Sequence, residues 1–389
     1  MLKFLFLFCL AVVPRYGAVD FVLLLAFCIL LVDFFRRKSL ILDRELLKVS
    51  CCVFLIIPFA YIAFANNHDP FGIVRLIKLS LLLILVPNAI SRIEEIFFFK
   101  WFTVVLLFTV VVMYCEYFNI FGLRSIVNDL QSSLHHGREV SYRAKGLFAG
   151  YSAAGVSCGF IALYALYFSM IGKINPKIGA CLFVLSYIAT FFTGRTGILI
   201  GSVGFLVVVA LFSKKVFTIK GLVILAAVPL MLFLSVPIFF PYIDFSVVDV
   251  TIIRTFEVFF NFQETGTFSS ESTTQIAKTY KLPHTLSEIT YGNGFQHWGP
   301  QAMQAQAHSS DAGFIQTLFM YGIFSFFFYY FPVLYIWWSA AKSSEAAWDR
   351  LYVMIALPLA LMAELKGHYI YSSLIFVLVL FPFFYRTVK

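Results

Sequence analysis

The most informative absence in this 389-residue sequence is that of charge. Asp, Glu, Lys and Arg together make up 13% of the residues, whereas hydrophobic residues make up 61%. A soluble domain usually carries about 25% charged residues, so this composition excludes an ordinary soluble protein. The apolar residues also occur in blocks of about 18 to 25, which is the length that crosses a bilayer as a helix. We therefore expect an all-α polytopic integral membrane protein.

Several motifs that carry chemistry in other proteins are missing. There is no G-x-x-x-x-G-K-S/T phosphate loop, which excludes a chain that powers itself with ATP. There is no Asp-x-Asp pair to present a metal to a nucleotide sugar, and the seven cysteines lie in apolar blocks without a C-x-x-C pair. We therefore predict no metal, no cofactor and no disulfide framework. The net charge of +9 comes largely from cations in short connectors, so nucleic acid is not expected as a partner.

Twelve apolar segments are predicted to cross the membrane, or eleven if the first one does not. They cover residues 2–13, 17–35, 46–65, 72–90, 98–115, 147–171, 178–193, 196–213, 221–241, 313–338, 351–364 and 369–385. With the N-terminus inside, every short basic connector lies on the cytoplasmic side, as the positive-inside rule requires. Arg36-Arg37-Lys38 and Lys214-Lys215 are two of these connectors. Both termini are then predicted to be cytoplasmic.

This alternation places two long connections outside the cytoplasm, at residues 116–146 and 242–312. The predicted organisation is residues 1–241 with nine spans, the large extracytoplasmic loop 242–312 before span ten, and residues 313–389 with the last three spans. A structureless loop of about 70 residues is uncommon in a compact protein unless it is functional or disordered. We therefore expect any chemistry on the extracytoplasmic face.

Ionisable residues are absent from the centres of the predicted spans. Arg75, Lys78, Glu364, Lys366 and His368 lie near the outer ends of spans four, eleven and twelve. A proton-coupled transporter usually places an acidic residue or a histidine near the bilayer midplane. The pattern therefore disfavours a transporter, which stays open as an alternative.

Four cations are predicted to lie at the outer membrane boundary, where topology alone would not place them. They are Arg143, Lys145, Arg195 and Arg254. Guanidinium groups bind phosphate through paired hydrogen bonds, so such a group would suit a lipid-linked pyrophosphate. Arg195 stands out because the glycines of its short turn, Thr193–Gly197, permit close backbone approach. The alternative is that these side chains extend to lipid headgroups.

A second polar group precedes span ten. His308 and Asp311 are three residues apart, so a helical start would put them on one face. Either residue could orient or deprotonate an attacking sugar hydroxyl. Asp311 could equally cap the helix. His284 and His297 lie in the same loop and could play the same acid–base role as His308.

These features resemble the O-antigen and capsular polysaccharide polymerases (Wzy-type), which are related to the O-antigen ligases. The resemblance covers most of the chain in architecture and rests locally on short motifs. These are Arg143-Ala144-Lys145-Gly146 entering a span, Thr193–Gly197 between two spans, and Gly292-Asn293-Gly294 followed by His308–Phe314 and Tyr321-Gly322-Ile323.

The resemblance implies a membrane glycosyltransferase that moves a growing glycan from undecaprenyl pyrophosphate onto a lipid-linked repeat unit. It implies a bacterial inner-membrane location with a periplasmic active face, a flippase and a chain-length regulator as partners, and no metal. Arg143, Arg195 and Arg254 would neutralise charge on the leaving pyrophosphate. His308 or Asp311 would serve the acceptor hydroxyl.

The ligase alternative fits the sequence less well. That branch typically has a histidine and one polar residue, then nine residues, then Gly-x-x-Gly. Here twelve residues separate His308-Ser309 from Gly322, and Ser325 stands where the second glycine would be.

Overall fold

The computed structural model confirms that the chain is mainly helical. It describes residues 1–12, 15–16, 19–38, 42–67, 71–132, 143–148, 150–193, 195–213, 250, 253, 256–257, 260–267, 274, 283, 285–294, 312–342 and 347–384. The helices within these ranges are α1 Leu2–Val12, α2 Phe21–Arg37, α3 Arg44–Phe54, α4 Ile57–Asn67, α5 Phe71–Ile90, α6 Glu95–Tyr117, α7 Leu123–Ser132, α8 Tyr151–Met170, α9 Pro176–Ala189, α10 Arg195–Leu211, α11 Leu286–Tyr291, α12 Gly313–Lys342, α13 Ala347–Glu364 and α14 Ser373–Phe384. Short 3-10 turns at Ile120–Gly122 and Thr190–Phe192 extend this set, and Arg15–Tyr16 pairs with Val19–Asp20 as a small antiparallel hairpin.

Four helical segments in the described residues are long and apolar enough to cross a membrane. They are Gly72–Ile90, Glu95–Tyr117, Tyr151–Met170 and Gly313–Ser339. Shorter apolar helices occur at Leu2–Val12, Leu46–Ile62, Pro176–Phe192, Thr196–Leu211 and Ser373–Pro382. The chain is therefore a membrane protein by the length and composition of its helices.

Apolar side chains on the outside of α12 support this conclusion. Phe324, Phe327, Phe331, Leu334 and Trp338 are all exposed, at spacings of three and four residues. This spacing places them on one helix face, which water would penalise and lipid hydrocarbon would accommodate. The helix thus presents an apolar stripe outward, as expected for a lipid-facing surface.

The chain divides into two compact units. The first comprises Met1–Val22 and Ile93–Phe268, and the second comprises Leu23–Arg92 and Ser269–Lys389. In the first unit, α8 is the central helix, with fifteen of its residues buried, and it packs against α9 and α10. In the second, α5 packs on α3 and α14, and α12 packs on α3 and α13.

Close packing of α8 on α10 depends on glycine. A Cβ atom on Gly197 would lie 2.2 Å from the carbonyl oxygen of Gly155, and one on Gly159 would lie 2.8 Å from the carbonyl oxygen of Gly197. Small residues let helix backbones approach in this way inside membranes. Gly197 therefore permits close backbone approach, which here is the packing of α10 on α8.

Three of the differences between the structure and the predicted spans concern α3, α4, α6 and α7. The segment 46–65 consists of two helices, α3 and α4, because the helix is interrupted by a turn at Leu55–Ile56. The apolar stretch Leu46–Ile62 therefore includes parts of both helices. Helix α6 continues past residue 115 and includes Glu116, which the sequence had assigned to the outer loop. The loop 116–146 is partly helical, since it contains α7. The predicted span 221–241 lies outside the described residues.

Candidate functional site

A buried carboxylate organises the segment that carries two of the predicted cations. Glu116 is 1% exposed near the C-terminal end of α6. Its Oε2 atom accepts hydrogen bonds from the backbone N–H groups of Lys145, at 3.0 Å, and of Gly146. Backbone donors that would otherwise be unsatisfied beside an apolar helix are thereby paired, which matters where water is scarce.

Gly146 makes this arrangement possible. Its φ is +56°, in the left-handed region, and an added Cβ would lie 3.1 Å from the Cβ of Met113 on α6. Glycine is the residue that adopts this conformation without steric cost. The Arg143–Phe148 segment, which we call the cation segment, therefore folds closely onto α6 because residue 146 is glycine.

The cation segment also reaches the turn that carries Arg195. The N–H of Ala144 donates to the carbonyl oxygen of Phe192 at 3.0 Å, immediately before Thr193. Arg195 is the first residue of α10, so this bond brings two motifs about 50 residues apart in the sequence to one place in the first unit. The structure describes the backbone of Arg195 and not its side chain.

Three cationic residues, Arg124, Arg143 and Lys145, belong to the part of the chain held near Glu116. Arg124 donates from Nη2 to the carbonyl oxygen of Arg143 at 3.1 Å, and Lys145 Nζ lies 5.8 Å from the centre of the Tyr151 ring. Arg124, Arg143 and Lys145 thus outnumber the single carboxylate of Glu116 in the residues described here. The carboxylate of Glu116 thus fixes backbone groups beside side chains of the type that binds anions.

Three of the residues predicted for the site cannot be placed. Arg254, His308 and Asp311 lie outside the described residues. Their predicted roles, in pyrophosphate binding for Arg254 and in serving the acceptor hydroxyl for the other two, stay predictions.

The flanking motif of His308 and Asp311 is well defined. Gly292-Asn293-Gly294 docks against the interior of α12, where the N–H groups of Asn293 and Gly294 donate to the carbonyl oxygens of Phe319 and Met320, at 2.6 and 3.2 Å. Helix α12 is broken there at Gly322, whose φ is +76°. The docked segment thus satisfies carbonyl groups that the break would leave exposed.

Sequence reasoning missed a second buried carboxylate. Glu364, the last residue of α13, is fully buried; its Oε1 atom accepts the N–H groups of Tyr369 and Ile370, at 2.5 and 2.6 Å. Its Oε2 atom accepts the hydroxyl of Tyr330 at 2.9 Å and lies 3.6 Å from Nδ1 of His368.

Neighbouring helices complete this network in the second unit. Thr317 Oγ1 lies 3.3 Å from both the Tyr330 hydroxyl and the His368 Nε2. Glu364 and His368 are residues that the predicted topology places at outer span ends, whereas Tyr330 lies in the middle of predicted span ten. A signal was available in the i, i+4 pair Glu364 and His368 at the end of an apolar run, but composition alone does not say that they are buried together.

No protein-family model matches the chain, and no curated protein or solved structure matches it.

Proposed function

We propose that this protein is a surface-polysaccharide polymerase of the bacterial inner membrane, with both termini cytoplasmic and its active face periplasmic. It would transfer a growing glycan from undecaprenyl pyrophosphate onto a lipid-linked repeat unit. The observation that carries the proposal is the hydrogen bond from Ala144 to Phe192, which joins the cation segment to the turn before Arg195. Two cation-bearing motifs of the resemblance thereby meet in one unit.

In this reaction the acceptor hydroxyl oxygen attacks the anomeric carbon of the donor glycan. The bond from that carbon to the pyrophosphate oxygen breaks, a glycosidic bond forms, and the hydroxyl proton passes to a base, for which His308 and Asp311 are the candidates. Negative charge grows on the departing pyrophosphate. Arg143, Lys145, Arg195 and Arg254 would stabilise that charge, because preorganised cations act strongly where water is scarce.

The test is complementation of a strain that lacks the gene. Without the protein, we expect lipid A–core capped by single repeat units; a ladder of long chains in that strain would overturn the proposal. Loss of all surface antigen with polymer retained on the lipid carrier would identify the ligase alternative instead.

Single variants then test the cation group. Arg143→Ala, Lys145→Ala and Arg195→Ala should each lower polymer yield by about 10- to 100-fold, the value of one charge-assisted hydrogen bond. Arg195→Lys should retain part of the activity, because it keeps the charge without the guanidinium fork. The matched control is Lys173→Ala, whose ammonium pairs with Glu95 at the predicted cytoplasmic side. Equal activity of all variants would remove these cations from the site.

A second candidate function has one observation in its favour. Glu364 is a fully buried carboxylate at the end of an apolar helix, and such residues often mark transport paths. A polysaccharide or lipid transporter should keep its function in the Arg195→Ala variant and lose it in Glu364→Gln, provided that both insert. The polymerase proposal predicts loss in Arg195→Ala.

A further inference from the structure

An unusual turn follows the end of α6. Within four residues, Asn119, Phe121 and Gly122 all have positive φ, at +50°, +56° and +68°. Left-handed backbone is strained for Asn and especially for Phe, since their Cβ atoms crowd the backbone, whereas glycine tolerates it. The turn after α6 therefore holds Phe121 in a strained backbone conformation.

The strained residue is also the most exposed apolar side chain of this region. Phe121 is 88% exposed, and Ile126 on α7 is 51% exposed. In water both features would be unfavourable together, because neither the strain nor the exposed ring is offset by packing. An apolar surrounding supplied from outside the chain would offset the exposure.

The next helix has the pattern of a helix that lies in a membrane interface. Helix α7 is amphipathic: Val127 packs into the protein and Ile126 is apolar and exposed, whereas Arg124 and Ser125 form a polar side. Short helices of this kind lie flat, with apolar residues at the acyl boundary and cations at the headgroups.

The exposed surface is continuous with the candidate span before it. On α6, Val104, Phe108 and Val111 are exposed at spacings of four and three residues, which places them on one face. This outward apolar stripe ends ten residues before Phe121 in the chain. Lipid contact along α6 would thus continue into the turn and α7.

We infer that Phe121 and Ile126 insert into the bilayer at the level of the headgroups, so that α7 anchors the first unit at the membrane surface. The occupant of this surface is phospholipid. Arg124 on α7 donates to the carbonyl oxygen of Arg143, so the anchor also fixes the depth of the cation segment. That depth is where the pyrophosphate of a polyprenyl lipid lies, a consequence that rests on the proposed function; the lipid contact itself does not.

Tryptophan placed at three positions tests the inference in the full-length protein. Phe121→Trp and Ile126→Trp put the reporter on the inserted side, and Ser125→Trp is the matched control on the polar side of the same helix. Each is reconstituted in vesicles of phosphatidylcholine and phosphatidylglycerol. The wild-type spectrum is subtracted to remove the five native tryptophans.

We expect blue-shifted emission for tryptophan at 121 and 126, with stronger quenching by a nitroxide lipid labelled near the headgroup than by one labelled near the chain end. The control at 125 should emit as in water and be quenched less. Equal quenching at all three positions, or water-like emission at 121 and 126, would overturn the inference, and the latter would leave the surface to a protein partner. Because two positions report independently, one variant that fails to fold does not decide the outcome.

These results are separable from polymerase activity. If lipid quenching is as expected while the Arg143 and Arg195 variants remain active, the anchor stands and the proposed function falls. If quenching fails while those variants lose activity, the proposed function stands and the anchor falls.

Discussion

Replacing Glu116 should release the cation segment from α6 while leaving the helices folded. The carboxylate accepts two backbone N–H groups, from Lys145 and Gly146. A buried donor left without a partner costs about 1–3 kcal/mol, so Glu116→Ala should cost about 2–6 kcal/mol at this site. Other described bonds of the segment are those from Ala144 to Phe192 and from Phe148 to Lys145, worth about 1 kcal/mol each, and the bond from the charged Arg124 to Arg143, worth about 1.5–3 kcal/mol.

The loss is therefore comparable with the largest of these single bonds, and it falls on the backbone of Lys145 and Gly146. Glu116→Gln keeps an acceptor oxygen but removes the charge, so its cost should be smaller, about 1 kcal/mol. We expect the order wild type, Gln, Ala in both protection of the segment and polymer yield. At the low end of the range, 2 kcal/mol corresponds to about a 30-fold change in local opening.

Amide hydrogen exchange of the peptide covering residues 143–148, measured in nanodiscs, tests this directly. The control is Glu95→Ala on the same helix, because Glu95 is half-exposed and its ion pair with Lys173 is of the surface kind that contributes about 0–1 kcal/mol. Exchange at Lys145 and Gly146 that is unchanged in a folded Glu116→Ala protein would refute the reasoning. So would equal acceleration in the Glu95→Ala control.

Three further substitutions probe the same physical features. Gly146→Ala should lower the stability of the protein by about 1–2 kcal/mol, because alanine is strained at positive φ. Gly150→Ala should leave the thermal unfolding temperature nearly unchanged, because an added Cβ there has nothing within 4 Å. Gly322→Ala should lower the yield of folded protein, since φ is +76° and the added Cβ would lie 2.2 Å from a carbonyl oxygen; a yield equal to that of Gly150→Ala would contradict this. Glu364→Ala removes an acceptor of three hydrogen bonds and should destabilise the protein by about 3 kcal/mol or more. Glu364→Gln should have an intermediate stability. The measurement for both is the temperature of aggregation in detergent. Equal stability of the two Glu364 variants would show that the acceptor oxygens are unimportant.

The helices themselves were largely predictable. The start of α12 at Gly313 and the end of α13 at Glu364 match the predicted spans, because a run of apolar residues ends where the backbone enters a polar layer. The break at Leu55–Ile56 was not predictable in this way. Both residues are apolar, so hydropathy continues across the position; the signal is Pro58, which lacks the N–H that would bond the carbonyl of Phe54 and interrupts the helix before α4.

The candidate site was predictable in its residue types and only partly in its geometry. Arg143 and Lys145 were singled out from their position before a span, and their role in a site stays a prediction; the structure shows how their backbone groups are bonded. The partner that fixes it, Glu116, was missed. Its contacts are made with backbone groups 29 and 30 residues further along the chain, and backbone donors have no sequence signature. The contact of Ala144 with Phe192 was invisible for the same reason.

Glu116 and Glu364, in separate units, are both buried carboxylates that pair backbone N–H groups. Each lies at or next to the C-terminal end of an apolar helix, where the helix dipole disfavours negative charge, so helix propensity does not explain either residue. Each instead accepts two backbone N–H groups from irregular chain that follows: Lys145 and Gly146 in one case, Tyr369 and Ile370 in the other.

The predicted topology assigns both of these helix ends to the extracytoplasmic side. On the side assigned to the cytoplasm, Asp33 pairs with Arg37 and Arg92, and Asp43 accepts the backbone N–H of Leu46 as the N-cap of α3. Irregular backbone near the apolar layer is stable only when its donors are paired within the protein, and a carboxylate can pair two at once. Such rigid non-helical backbone is where side chains can be held in fixed positions for binding and catalysis. Glu116 and Glu364 therefore hold irregular backbone in a fixed conformation at two helix ends that the predicted topology assigns to the outer face, for a physical reason that is independent of the cations from which the site was first inferred.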